Sequence, residues 1–262
     1  MTWEVAAAFV TDMAESGYVF GTISSVRYAI RALHRLGGLP DPTADARFVR
    51  AFQGIGRTIG HDCPNRKDAV MLEELRAMRA RALEKQTIAG LQDWTVLSVG
   101  FFGALRRSEL VALDIPDLTF SDDDLYVQIR RSKTEQFRAV DVPLLRRQDE
   151  LCPVSALQTW LQALPQQCGP IFRTTRRGEL RDTRMADRTV CRIVQRYCEQ
   201  VGLDPRKFGA HSLRAGYVTD EIDRGTPDLH VALQTRHSDF DSLLRYYRPR
   251  VFRRNLTRGV LK

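Results

Sequence analysis

With 262 residues, 43% hydrophobic and 27% charged, the chain is long enough for two domains and apolar enough to bury a core, which excludes a disordered or low-complexity protein. Its longest nearly apolar run, Val96 to Leu105, is far short of the ~20 residues a membrane helix needs, and Met1–Ser16 has acidic residues where a signal peptide has a basic start and an apolar core, so no membrane partner and a cytoplasmic location are expected. A net charge of +8 favours a polyanionic partner, most of all through the tail from Arg245 to Lys262, which holds basic residues and no acidic ones.

In chain order, Val5, Phe9 and Met13 repeat at helical spacing. After Gly17 and Gly21, Val26, Ile30 and Leu33 repeat in the same way, with Thr22 as candidate cap and Gly37-Gly38 as the stop. Pro40-Asp41-Pro42-Thr43 opens a third helix over about Ala44 to Thr58. Arg27, Arg31 and Arg35 fall at i, i+4, i+8 on the second helix, either as a solvated face or as a phosphate-contacting stripe. Residues 59–68 are polar, contain Pro64 and lack periodicity, as a linker does.

Leu72–Leu83 and Ile88–Gly103 then read as helices, the second apolar enough to lie in a core. Leu125–Ile129 and Ala139–Val142 read as two strands around the polar turn Ser132-Lys133-Thr134-Glu135. Helical patterns return at Pro153–Leu164, Arg188–Val201, His211–Arg224, Asp228–Thr235, Asp239–Tyr247 and Val251–Gly259. The expected fold is mainly α with one small antiparallel β-sheet. The five cysteines include no C-x-x-C pair and are expected to be reduced thiols, with no metal site.

Within this frame six residues carry chemistry: Arg106, Lys133, His211, Arg214, His237 and Tyr246. Arg106 lies where an apolar helix ends, and Glu109 three residues on can fix its guanidinium. Lys133 sits at a hairpin tip, which can deliver an ammonium to a leaving oxygen. His211 and Arg214 share a helix face at i, i+3, beside a helix N-terminus that offers N–H groups to an anion. Tyr246 follows His237 by nine residues, and its neighbour Tyr247 points about 100° away on a helix. Two guanidinia, an ammonium, imidazoles and a phenol are the groups needed to attack and rejoin a phosphodiester without metal or nucleotide.

The segments Gly103–Leu110, Arg130–Thr134, His211–Arg214 and Arg236–Tyr247, in this order, resemble the tyrosine recombinase (phage integrase) family, with its G-x-x-R-x-S-E-L context, hairpin lysine, H-x-x-R pair and tyrosine nine residues after a histidine. The match spans about Val70 to Arg250, with a weaker one through the N-terminal helices. The resemblance implies a helical core-binding DNA clamp at 1–58, a linker at 59–68 and a tyrosine-recombinase catalytic domain at 69–262. These domains often have a further leading helix in the family, so either a shortened clamp or a misassigned start site is expected here.

By the same resemblance Tyr246 attacks the scissile phosphate, Arg106 and Arg214 hold its oxygens, and His237 adds a hydrogen bond. Lys133 protonates the leaving 5′-oxygen, His211 accepts the tyrosine proton, and Glu109 orients the layer behind them. Neither cofactor nor ATP is implied. The partners implied are double-stranded DNA and further copies of the chain, in a tetramer on two sites that passes through a Holliday junction, with the segment holding Val251, Phe252 and Leu256 exchanged between protomers. Arg27, Arg31, Arg35, Lys67, Arg131 and Thr134 are the candidate DNA contacts. The rival readings are a type IB topoisomerase and a DNA-binding protein on a recombinase scaffold that has lost its activity.

Overall fold

The computed structural model describes residues 1–60, 67–121, 124–130, 139–166 and 168–236, and the chain separates into two units, Met1–Arg66 and Lys67–Lys262. The N-terminal unit contains α1 (Trp3–Glu15), α2 (Phe20–Leu36) and α3 (Ala46–Ile59), with a 3₁₀ turn at Pro42–Ala44 before α3. Ala6, Val10, Met13, Ile23, Phe48 and Phe52 form its core. The inward face of α1 is therefore offset from the expected one: Met13 is buried, but Val5 and Phe9 are 55% and 48% exposed. Two apolar stripes run side by side on this helix, and Ala6 on the inward one lets α1 approach α3 closely. Periodicity alone does not separate two such stripes.

On α2 the inward residues are Ile23, Ile30 and His34, whereas Leu33 is 68% exposed. His34 is satisfied in the interior because its Nδ1 donates to the Pro40 carbonyl at 2.7 Å. The helix begins before Thr22, with Val19 at the N-cap and no side-chain cap. Packing of Phe20 on Phe52, with ring centroids 5.0 Å apart, anchors this start instead. The third helix starts in two steps. Asp41 caps the 3₁₀ turn by accepting from the Thr43 amide and hydroxyl at 2.9 and 2.7 Å, and Asp45 then caps α3 by accepting from the Arg47 amide at 2.8 Å.

The arginine stripe of α2 is divided by these neighbours. The Arg27 guanidinium lies over the Phe52 ring, 4.9 Å from its centroid, and Arg31 Nε is 3.5 Å from Asp41. Arg35 stays exposed. Burial pushes the Asp41 carboxyl up, but the Thr43 hydrogen bonds and the charges of Arg31 and Arg35 outweigh it, so the group titrates below its ordinary range. Asp41→Ala should then lower the stability of this unit by about 1 kcal/mol. A folded pKa below the unfolded one makes the contribution present at neutral pH and lost as the pH falls through the carboxylate range. Thermal melts of the two proteins should therefore differ at pH 7 and converge in acid.

The C-terminal unit is built around α5 (Ile88–Phe102), a helix apolar on nearly every side and buried from Gln92 to Phe101. Thr87 caps it by accepting from the Gly90 amide at 3.1 Å. Around it pack α4 (Leu72–Leu83), α6 (Arg107–Ala112), α7 (Pro153–Ala163), α8 (Asp187–Gln200) and α9 (His211–Arg224), and α10 (Asp228–Thr235) follows against α9. On α8 the buried residues Val190, Ile193, Val194, Tyr197 and Cys198 trace one helical stripe. Each large apolar side chain buried in such a core contributes about 1.5–3 kcal/mol.

Strands β1 (Leu118–Phe120), β2 (Asp124–Ile129) and β3 (Val140–Leu145) form an antiparallel sheet in that order. Cross-strand pairs Leu125–Leu144 and Val127–Val142 face inward in register. A second antiparallel pair, β4 (Arg173–Arg176) with β5 (Glu179–Arg184), corrects the expectation of one sheet. Its strands are too charged to show alternation, and the pairing comes from the tight turn at Arg177-Gly178, where both φ angles are positive. Buried Gln92 of α5 holds it, donating to Thr175 Oγ1 at 3.0 Å and accepting from the Arg173 amide at 2.7 Å. Among the described residues no helix is long and apolar enough to cross a membrane, the cysteines are free thiols and no group of side chains is arranged to hold a metal ion.

Candidate active site

The turn between α5 and α6 and the first turn of α9 bring the described candidates together. α9 packs on the segment at Val70 at backbone distance, with the Phe101 ring of α5 beside it, because Gly216 carries no side chain: a Cβ there would lie 1.8 Å from the Val70 carbonyl oxygen and 2.8 Å from the Phe101 ring. This contact delivers Arg214, 2% exposed, to the far end of α5, where its Nη1 donates to the Ala104 carbonyl at 2.8 Å. Ala104 holds a left-handed backbone, φ 45°, unusual for a residue with a Cβ. The strain is carried next to the arginines, where backbone outliers commonly mark function.

Two residues beyond Ala104, Arg106 is the N-cap of α6. Buried Glu109 closes the turn behind it, accepting from the Arg106 amide at 2.8 Å and from its Nη1 at 2.7 Å. The capping contact and the guanidinium contact come from one carboxylate, which explains the three-residue spacing between them. Glu109 also accepts from Arg236 Nη2 at 2.5 Å. Burial pushes the Glu109 carboxyl up, but the Arg236 charge and the two Arg106 hydrogen bonds outweigh it and hold the group below its ordinary range. Glu109 is therefore an anion at neutral pH. A cleft of about 310 Å³ opens beside it, lined also by Leu113, Asp117, Gln128 and Arg130.

His211 is the first residue of α9 and is exposed, one turn before Arg214 on the same helix. Ser212 between them is buried and fixes this helix start, since its Oγ accepts from the Gly209 amide at 3.0 Å and its carbonyl from the Val70 amide at 3.0 Å. The base of the β2–β3 hairpin is anchored by Arg130, which donates to Asp117 at 2.5 and 2.7 Å and to Asp114 at 2.6 Å. Asp114 also accepts from Arg184 at 2.5 Å.

Of the residues singled out in the sequence, Arg106, Glu109, His211 and Arg214 thus gather at the α5–α6 turn and the α9 start. Lys133, His237, Tyr246, Arg131, Thr134 and the tail with Val251, Phe252 and Leu256 lie outside the described residues. Lys67, a candidate DNA contact, has a structural use: its Nζ donates to the Arg206 carbonyl at 2.6 Å. The sequence reading missed Arg236 and the backbone of Ala104. Arg236 directly precedes His237 in the sequence, but its tie to Glu109 spans 127 positions.

Comparison with known proteins identifies the family of the chain. The model of the phage integrase family matches residues 73–252. An integrase/recombinase XerD homolog of Selenomonas ruminantium is 32% identical over 250 residues, covering 93% of this chain and 72% of the relative. A tyrosine recombinase of Synechococcus elongatus is 29% identical over 251 residues, covering 92% and 71%. The fold is shared with the XerH site-specific recombinase in its complex with the palindromic difH substrate, at TM-score 0.66 and 17% identity over 94% of this chain and 68% of that one. It is shared as well with the Tn1549 transposon integrase in complex with transposon right end DNA, at TM-score 0.66 and 15% identity over 98% and 85%. A family match across most of the chain, relatives aligned over more than nine-tenths of it and a common fold agree: the chain belongs to the phage integrase family of tyrosine recombinases, enzymes that break and rejoin DNA.

Proposed function

We propose that the protein is a site-specific recombinase that cleaves double-stranded DNA through a covalent 3′-phosphotyrosyl link to Tyr246. The observation that carries the reading is the meeting of Arg106 and Arg214 at one turn, with the first braced by Glu109 and the second by the Ala104 carbonyl. Two arginines fixed before substrate arrives offer forked donors to the non-bridging oxygens of a phosphate, and their charge stabilises a pentavalent transition state without reorganisation.

In this mechanism the Tyr246 oxygen bonds to phosphorus as the bond from phosphorus to the 5′-oxygen breaks. The tyrosine proton passes to His211, whose exposed position at the α9 start suits exchange with a ligand. Lys133 gives a proton to the leaving 5′-oxygen, and His237 donates a hydrogen bond to the phosphate. The phosphotyrosyl bond keeps the phosphodiester energy, so a second 5′-hydroxyl can reverse the step on a new strand, and two such exchanges pass through a Holliday junction. The helical N-terminal unit clamps the duplex with Arg35 as the exposed member of its arginine stripe, a tetramer forms on two sites by exchange of the C-terminal segment, and the protein works in the cytoplasm.

The test uses a nicked duplex obtained by covalent capture from a randomised library with the unsubstituted protein. A denaturant-resistant adduct should form, and Tyr246→Phe should abolish it while Tyr247→Phe keeps it. An adduct that survives Tyr246→Phe, or that is lost only in Tyr247→Phe, overturns the nucleophile. Relaxation of supercoils without joining of paired sites overturns recombination in favour of a topoisomerase.

A further inference from the structure

Helix α10 leaves through Arg236 in a left-handed conformation, φ 54°. Glycine or asparagine is the ordinary residue at such a helix exit, because a Cβ is strained there. The arginine is also not where arginines usually lie: its side chain is 8% exposed and that of its acceptor, Glu109, 2% exposed. Glu109 Oε2 accepts from Arg236 at 2.5 Å and from the Arg106 amide at 2.8 Å, while Oε1 accepts from the Arg106 guanidinium at 2.7 Å. One buried carboxylate is thus shared between an arginine that the proposed chemistry uses and one that it does not.

The charge balance gives that sharing a purpose. Glu109 fixes the direction of the Arg106 guanidinium, but a lone carboxylate 2.7 Å away would also cancel most of the charge that Arg106 brings to a phosphate. A second guanidinium on the same carboxylate leaves the trio with a net positive charge and still holds Arg106 in place. The exit of α10 is itself anchored, since Gln234 Nε2 donates to the Phe102 and Pro143 carbonyls at 3.2 and 2.9 Å. Arg236 therefore clamps Glu109 from a fixed point.

We propose that Arg236 is a positioning residue for strand cleavage, which acts through Glu109 to hold Arg106 and to offset the carboxylate charge beside it. The inference rests on the assignment of Arg106 to the scissile phosphate. It is read in single-turnover adduct formation at saturating protein, with the captured nicked duplex as probe. Arg236→Gly and Arg236→Met should each slow the step roughly 10- to 100-fold, the range that misplacement of a catalytic group by about 1 Å produces, with DNA affinity unchanged.

Arg236→Gly relieves the backbone strain but takes a buried donor from Glu109, so its Tm should fall less than that of Arg236→Met, which loses the same donor and keeps the strain. Arg236→Lys, which keeps a charge but not the fork, should recover part of the rate. Arg236→Met combined with Glu109→Gln should be no slower than the slower single variant, as for two residues on one path. An unchanged rate in Arg236→Gly and Arg236→Met sinks the inference alone, as does full additivity in the double variant. Absence of any adduct with the unsubstituted protein sinks the recombinase mechanism, and this inference with it.

Discussion

Gly216→Ala is expected to destabilise the C-terminal unit by about 3 kcal/mol or more, at the upper end of what overpacking a core costs. A methyl group at this position would start 1.8 Å from the Val70 carbonyl oxygen, 2.9 Å from its carbonyl carbon and 2.8 Å from Phe101. Two of these three atoms are backbone and the third belongs to a fully buried ring, so no flexible side chain can give way. To accept the methyl, α9 must retreat from the segment at Val70, which stretches the hydrogen bond from the Val70 amide to the Ser212 carbonyl. For a unit of this size the loss corresponds to a fall of roughly 6–12 °C in Tm. Gly54→Ala is the matched control: Gly54 lies inside α3 with nothing within 4 Å of the added carbon. It should gain up to ~1 kcal/mol from helix propensity. Differential scanning calorimetry of the two variants should show shifts of opposite sign.

The second large effect is on activity. Arg214→Ala should reduce adduct formation roughly 1,000-fold or more, as removal of an arginine that neutralises a phosphoryl transition state does. Arg214→Lys should recover little, because an ammonium does not match the fork that binds two phosphate oxygens. Both variants also take a buried donor from the Ala104 carbonyl, which costs about 1–3 kcal/mol where nothing replaces it. The two consequences can be told apart by temperature. If the loss of rate came from unfolding, cooling the reaction well below the Tm of the variant, which those kilocalories lower by roughly 2–12 °C, would restore it; a loss that persists there belongs to the phosphate.

How far the sequence alone leads depends on the distance over which each feature is determined. The stripe on α8, the limits of α9 and α10, and the alternation of β2 against β3 are set by neighbours within a few positions, and they are found where the pattern puts them. The inward face of α1 is not, because two apolar stripes on one helix are resolved only by what packs on it. The β4–β5 hairpin is invisible to periodicity because Gln92, from a helix 81 positions earlier, supplies part of its support. In the site the same division holds. The link from Glu109 to Arg106 is local and legible as a spacing of three. The links from Arg214 to Ala104 and from Arg236 to Glu109 cross 110 and 127 positions, and only the folded chain shows them.

The entry into the C-terminal unit has a consequence for how such chains can be recombined by evolution. Lys67 Nζ donates to the Arg206 carbonyl, the Asp68 amide to the Lys207 carbonyl at 2.7 Å, and the Val70 amide to the Ser212 carbonyl. The backbone is thus stitched to the approach and start of α9 from its first residues onward. Whatever precedes Lys67 in the chain, its length and its sequence are insulated from the register of His211 and Arg214. A splice made before this seam can exchange the N-terminal unit for another, or lengthen the chain that leads from it, and leave the placement of His211 and Arg214 unchanged.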